Sequence, residues 1–162
     1  MKKFEFTGET KTTVSGIVLH RIKASVRIDL GYSTIVEVGD LGGWLEKEDN
    51  LSHLGNAWVF GDAQVFGDAL IYGNSKVSGD ACINKRNHVL TIGPIGSRNE
   101  FTTFFRTKDR KIKVSCGCFL GTIDEFLEKV EQTHGDSKHA IVYRAAVGVA
   151  LAQIDISDED DT

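Results

Sequence analysis

The sequence predicts a β-helix plus α+β architecture: a short parallel β-helix followed by a small sheet with two C-terminal helices. Three observations carry the expectation. A branched residue recurs every six positions at Val59, Val65, Ile71, Val77 and Ile83, and a small residue stands two positions before each, at Ala57, Ala63, Ala69, Ser75 and Ala81. The pattern stops after Ile83 and gives way to runs rich in Thr, Phe, Val and Ile. Two stretches of helical periodicity then close the chain, the first opened by the capping box Thr122-Ile123-Asp124-Glu125.

From the N-terminus, Phe4 to Thr7 and Ile17 to Ile28 alternate apolar and polar residues and read as strands leading into the repeat. Val36 to Leu54, containing Gly39-Asp40-Leu41-Gly42-Gly43-Trp44, reads as a degenerate first coil whose open end Trp44 would plug. Through Gly55 to Ile83 a Gly-Asp or Gly-Asn pair precedes each small residue. Those pairs supply turns that tolerate positive φ, branched side chains suit strands pointing into a narrow prism, and small ones fit where a corner crowds the axis.

After the repeat, Val89 to Ile95, with the only proline, Pro94, marks a linker or the first strand of a new unit. Phe101 to Arg106 and Lys111 to Phe119 read as a hairpin around the polar Thr107-Lys108-Asp109-Arg110. The first helix places Ile123, Phe126, Leu127 and Val130 on one face and ends at Gly135. Asp136 or Ser137 then caps a second helix from about Lys138 to Ile154, apolar on most faces and expected at a domain or subunit contact. The expected division is residues 1–88 for the N-terminal strands and repeats, 89–154 for an α+β ligand-binding module, and 155–162 for a disordered acidic tail.

The repeat resembles the left-handed β-helix hexapeptide family, with Val59 to Gln64 (Val-Phe-Gly-Asp-Ala-Gln) as a representative unit. The resemblance implies the left hand, against the general right-handed rule for parallel crossovers, and three hexads per coil. The clear repeats then cover under two coils, too few to stand alone. A short solenoid, an apolar second helix and the aromatic outward positions Trp58, Phe60, Phe66 and Tyr72 together predict a homo-oligomer built on a closed dimer or trimer.

Composition narrows the class. The chain has 162 residues, 41% of them hydrophobic, enough for a packed core. No run approaches the roughly 18 apolar residues that span a bilayer, and MKKFEF is followed by charged and polar residues rather than a signal core. A cytoplasmic protein that does not engage membranes is expected. Three cysteines, Cys82, Cys116 and Cys118, are too few for a disulfide framework and agree with a reducing compartment. The net charge of -4 argues against direct nucleic-acid binding by the chain as a whole. It conceals an uneven distribution, because Asp155 to Thr162 holds five acidic residues and no basic one, whereas Arg98 to Lys113 holds six basic and two acidic and could attract anions.

Several residues could carry chemistry. Cys116 and Cys118, two apart in one predicted strand, would share a face. With His134 or His139 they could hold zinc, but structural sites use tighter four-ligand motifs, so buried small side chains are preferred and no metal or other cofactor is expected. The five histidines have no Ser or Cys partner at a recognisable spacing, which leaves a catalytic triad unsupported. Acyl transfer, common among hexapeptide proteins, is the less favoured reading because His20, His53 and His88 fall outside the clear repeats.

The segment Gly96-Ser97-Arg98-Asn99 with Thr102-Thr103-Phe104-Phe105-Arg106 carries what a nucleotide pocket requires. Arg98 and Arg106 can grip phosphates, Thr102 and Thr103 add donors, Phe104 can stack on a base and Asn99 can read its edge. The plainer alternative stays open: one Phe is core, the other covers a helix, and the arginines are solvated. Together with Cys116-Gly117-Cys118-Phe119, Gly121 to Phe126 and His134-Gly135-Asp136, this segment is similar to a C-terminal module of phage and prophage hexapeptide proteins. Its order of sheet then two helices also looks like the phage anti-Thoeris sponge proteins. That resemblance implies a non-enzymatic protein that sequesters a cyclic ADP-ribose signal or a cyclic oligonucleotide without cleaving it, with Arg98, Asn99, Phe104 and Arg106 as contacts. The alternative is an interaction protein that occludes a host nucleic-acid-binding protein with its acidic surface.

Overall fold

The computed structural model describes residues 1–32 and 34–157. Strands β1 (Phe4–Thr12) and β2 (Val18–Ala24) form an antiparallel hairpin, followed by the short pair β3 (Ile28–Asp29) and β4 (Ile35–Val36) and by β5 (Leu41–Leu45). The repeat contributes four two-residue strands, β6 (Trp58–Val59), β7 (Gln64–Val65), β8 (Lys76–Val77) and β9 (Cys82–Ile83). Then come β10 (Val89–Ile95), β11 (Glu100–Arg106), β12 (Ile112–Cys116), β13 (Phe119–Thr122) and the helices α1 (Ile123–His134) and α2 (Lys138–Gln153).

The expected β-helix is corrected by this topology. Among the described residues the strands form four sheets: a five-stranded sheet in the order β1-β2-β5-β7-β9, an antiparallel sheet β10-β11-β12-β13, and the pairs β3-β4 and β6-β8. The largest sheet is mixed, because β2 pairs antiparallel with β5 while β5, β7 and β9 run parallel. Strands of two residues cannot bury a core alone, and the N-terminal hairpin and the downstream sheet complete it. The six-residue period persists as parallel partners three hexads apart, Gln64 with Cys82 and Trp58 with Lys76. The two C-terminal helices form as the sequence predicts.

Two cores meet at β11. The first holds Val59, Val65, Ile71, Val77 and Ile83 together with Trp58 and Phe105. Gly43 is needed where β5 crosses it, since a Cβ there would lie 2.6 Å from Val59 Cγ1 and 2.7 Å from the Ala63 carbonyl oxygen. The second core lies between β10–β13 and the two helices and holds Phe104, Val114, Phe126 and Tyr143. Alternate residues of β11 therefore enter different cores, and both faces of the antiparallel sheet are covered.

Trp58 and Phe66 are buried rather than outward-facing, and Tyr72, 63% exposed, is the strongly exposed aromatic of that set. Trp44 plugs no open end. It clusters with Leu19 and Phe66 outside the first core, and Lys11 and Arg21 cover its ring with their charges 4.3 and 5.3 Å from the centroid. The single strand expected over Lys111 to Phe119 is two strands joined by a Gly117-Cys118 turn, with Gly117 at φ +57°. Local signals at α1 translate directly: Thr122 Oγ1 accepts from the Glu125 amide at 3.2 Å, Glu125 Oε1 accepts from the Thr122 amide at 3.0 Å, and Gly135 ends the helix.

Of the expected tail, Asp155 to Ser157 is held against the body of the protein. The Asp155 amide donates to the Asn87 carbonyl at 3.1 Å, and Arg106 Nη2 donates to the Ser157 carbonyl at 3.4 Å. Residues 158–162 of that tail lie outside the described residues. Among the described residues no helix is long and apolar enough to cross a membrane.

Candidate functional site

β11 distributes the six residues singled out in the sequence instead of gathering them. Phe104 is fully buried, packing edge-on against Phe126 with ring centroids 6.3 Å apart, so its faces are spent on the core. Thr102 donates to Cys116 Sγ at 3.4 Å on the same side of the sheet. Thr103 points the other way and accepts from the Lys76 amide at 3.0 Å. Asn99 sits exposed in the β10–β11 turn at φ +49°, its amide donating to the Gly96 carbonyl at 3.3 Å.

Arg106 closes the far end of the strand, roughly 20 Å from Glu100 at about 3.3 Å per residue, whereas Arg98 lies in the turn before Glu100, so the two cannot hold one small ligand. It is 6% exposed, and its Nη1 lies 2.8 Å from Nε2 of the fully buried His88. A guanidinium only donates, and the Asn84 amide faces Nδ1 of the same ring at 3.2 Å, so both ring nitrogens meet donors and a protonated ring, which could only donate, is disfavoured. Burial, then the Arg106 charge, pushes the His88 pKa down to about 4. An unfolded histidine takes its proton near pH 6.5, so His88 stabilises the fold fully above that value and loses this contribution as pH falls from about 6.5 to about 4. The expected loss over that window is about 3 kcal/mol. Melting temperatures across pH 7 to 4 should fall less steeply in His88→Gln than in the parent; parallel profiles would remove His88 as the cause.

Of the six, Arg98 lines a cavity. Its guanidinium stacks 4.0 Å from the centroid of the Tyr32 ring, which the loop between β3 and β4 supplies. Between that loop, the β12–β13 turn and α1 lies a cavity of about 380 Å³. Phe119 and Phe126 give it apolar walls, Lys129 and His134 line it from α1, and Tyr143 reaches it from α2. Arg98 and Lys129 are its two cations, and Glu100 its carboxylate.

The turn that carries Arg98 is fixed from below. Gly96 has φ +80°, and a Cβ there would sit 1.8 Å from the Tyr143 hydroxyl, so glycine is required on both counts. Burial, followed by the neighbouring Cys116 thiol, pushes the Tyr143 pKa up to about 12. Its hydroxyl therefore stays protonated at neutral pH and can donate. On the opposite wall, Lys76 donates to the Gly117 carbonyl at 2.9 Å and to Thr34 Oγ1 at 3.4 Å, tying the repeat to the turn between Cys116 and Phe119. Burial lowers the Lys76 pKa.

Cys116 and Cys118 do not share a strand face: Cys116 ends β12, half-buried under Thr102, and Cys118 is exposed in the turn. Among the described residues no group of three or more His, Cys, Asp or Glu side chains is placed to hold a metal. Tyr32, Lys129 and Tyr143 were missed in the sequence. The alanines around Tyr143 were the available signal, since a lone large polar ring on the buried side of a small-residue helix must have somewhere to reach. Comparison with known proteins gives no match to a family model and none to a curated protein sequence.

Proposed function

We propose that this cavity binds a small phosphate-bearing ligand with an aromatic ring, of the cyclic ADP-ribose or cyclic oligonucleotide class, and holds it without converting it. The observation that carries the reading is the convergence of Arg98 and Lys129 with the rings of Tyr32 and Phe119 around a space of about 380 Å³. That volume is within the range of small-ligand sites, roughly 300 to 1,000 Å³. Cations placed beside ring faces suit a ligand with a phosphate at one end and a base at the other. Arg98 is held by its stack on Tyr32 before any ligand arrives, which lowers the ordering cost of binding. Tyr143, protonated at neutral pH, supplies a donor rather than a base. In a phage setting such a protein is a sponge for a host immune signal, the role implied by the likeness of its sheet followed by two helices to the anti-Thoeris sponge proteins.

The site assignment moves from the sequence expectation to Arg98 and Lys129, with Arg106 and Phe104 structural. Calorimetry with cyclic ADP-ribose isomers and cyclic di- and trinucleotides should find one tight ligand, released intact by heat. Each charge-assisted contact is worth about 1.5–3 kcal/mol, so Arg98→Ala and Lys129→Ala should each weaken binding by about tenfold to a hundredfold without moving the melting temperature. Ligand recovered cleaved would make the protein an enzyme. Failure to bind across the panel, or affinity untouched by both substitutions, would discard the cavity as the site and favour the protein-occluding alternative.

A further inference from the structure

α2 buries one side and leaves the other largely apolar, with the exposed Arg144 at its edge donating to the Gly135 carbonyl at 3.1 Å. Ala140, Tyr143, Ala146, Val147 and Ala150 face the second core. The exposed side carries Ile141, 62% exposed, and Val149, 48% exposed, with Ala145, Gly148 and Ala152 between and beyond them. Positions 138, 141, 145, 148 and 152 follow the alternating spacing of three and four that lines up a helix–helix seam. Nothing within the chain asks for glycine at Gly148: it lies mid-helix, where glycine is a poor choice, and a Cβ there would meet nothing within 4 Å.

The charges at the ends of this seam name its occupant. Lys138 opens α2, its first turn has no acidic residue, and its last turn has no basic one. Asp155 follows the C-cap Ile154, and Asp158, Glu159, Asp160 and Asp161 follow in the sequence. Positive charge at the start of a helix and negative charge at its end both oppose the helix dipole. In an antiparallel pair each end meets its opposite.

We propose that α2 is the interface of a two-fold symmetric homodimer, packed antiparallel on a second copy of itself. With the centre of the pair between Ala146 and Val147, the register is self-complementary. Ala145 meets Gly148 of the second copy, Ile141 meets Ala152, and Lys138 comes to Asp155. Small residues at the middle let the helices approach to about 8 Å, the close limit of helix packing, and this gives Gly148 its reason. Tyr143 lies on the opposite side of α2, so the seam and the ligand cavity use different faces of one helix.

Sedimentation velocity of the full chain at tens of micromolar should show a dimer. Gly148→Arg changes an exposed residue, so the fold should persist by circular dichroism while the dimer dissociates at least about a hundredfold more readily. Val14→Arg, at the fully exposed tip of the N-terminal hairpin, should leave the dimer intact. Orientation is read by disulfide trapping in a Cys118→Ser background: Ala145→Cys protein mixed with Gly148→Cys protein should cross-link to one another in preference to themselves. A monomer at that concentration, a dimer indifferent to Gly148→Arg, or Ala145→Cys protein that cross-links chiefly to itself would each overturn the proposal.

Discussion

Val65→Asp is expected to leave the protein without a folded state at room temperature. Val65 is fully buried in β7, paired with Leu45 on one side and Ile83 on the other, in the middle of the parallel run of the largest sheet. A carboxylate there would have no charged or hydrogen-bonding partner, and even protonated it would cost several kcal/mol. The total stability of a domain is about 5–15 kcal/mol. Loss of valine packing adds to the penalty, because Val59 and Ile83 are fully buried in the same core. Thermal melting by circular dichroism is the measurement. A variant that melts within a few degrees of the parent would show that the six-residue period does not point this side chain inward.

Phe104→Ala should cost about 3–5 kcal/mol, the range for an aromatic ring deleted from a packed core. The ring sits between the sheet and α1, edge-on to Phe126, which is itself 5.5 Å from Phe119 and from Tyr143. Removing it opens a void behind the cavity wall, so urea midpoints should fall sharply. Ligand affinity should weaken only as far as Phe119 and Tyr143 shift. Phe104→Leu should recover most of the stability. Destabilisation below about 1 kcal/mol with complete loss of binding would restore the stacking role that the sequence suggested.

The difference between those two residues shows what the sequence made legible. Val65 announces itself because inward positions recur at fixed spacing, and the capping box at Thr122 announces itself because it needs only four neighbours in the chain. Phe104 and Arg106 do not, because both faces of β11 are buried and alternation then carries no polarity signal. Threonine and arginine in such a strand look like a ligand-binding edge until their partners Cys116, Lys76 and His88 are seen. The mixed sheet was hidden for a related reason: β2 meets β5 through a non-local antiparallel pairing that no period encodes. The Cys116-Gly117-Cys118 step could have been read, since glycine between two β-rich runs is the mark of a tight hairpin turn. The cavity could not. Tyr32 comes from a loop far upstream of Arg98, and only the folded chain brings the ring under the guanidinium.

The covered sheet has a consequence for how such a protein can change over evolutionary time. Phe105 belongs to the core of the repeat half, and Phe104, its neighbour in the chain, to the core of the helical half. A break at residue 88 would strip the upstream half of Phe105 and leave the downstream sheet with one apolar face in water. Tyr32 and Lys76, from upstream, also hold Arg98 and the Gly117 turn. Recombination that moved residues 89–157 alone into another gene would carry away one side of the cavity without the parts that complete it. The last hexads and the module behind them are inherited as one unit.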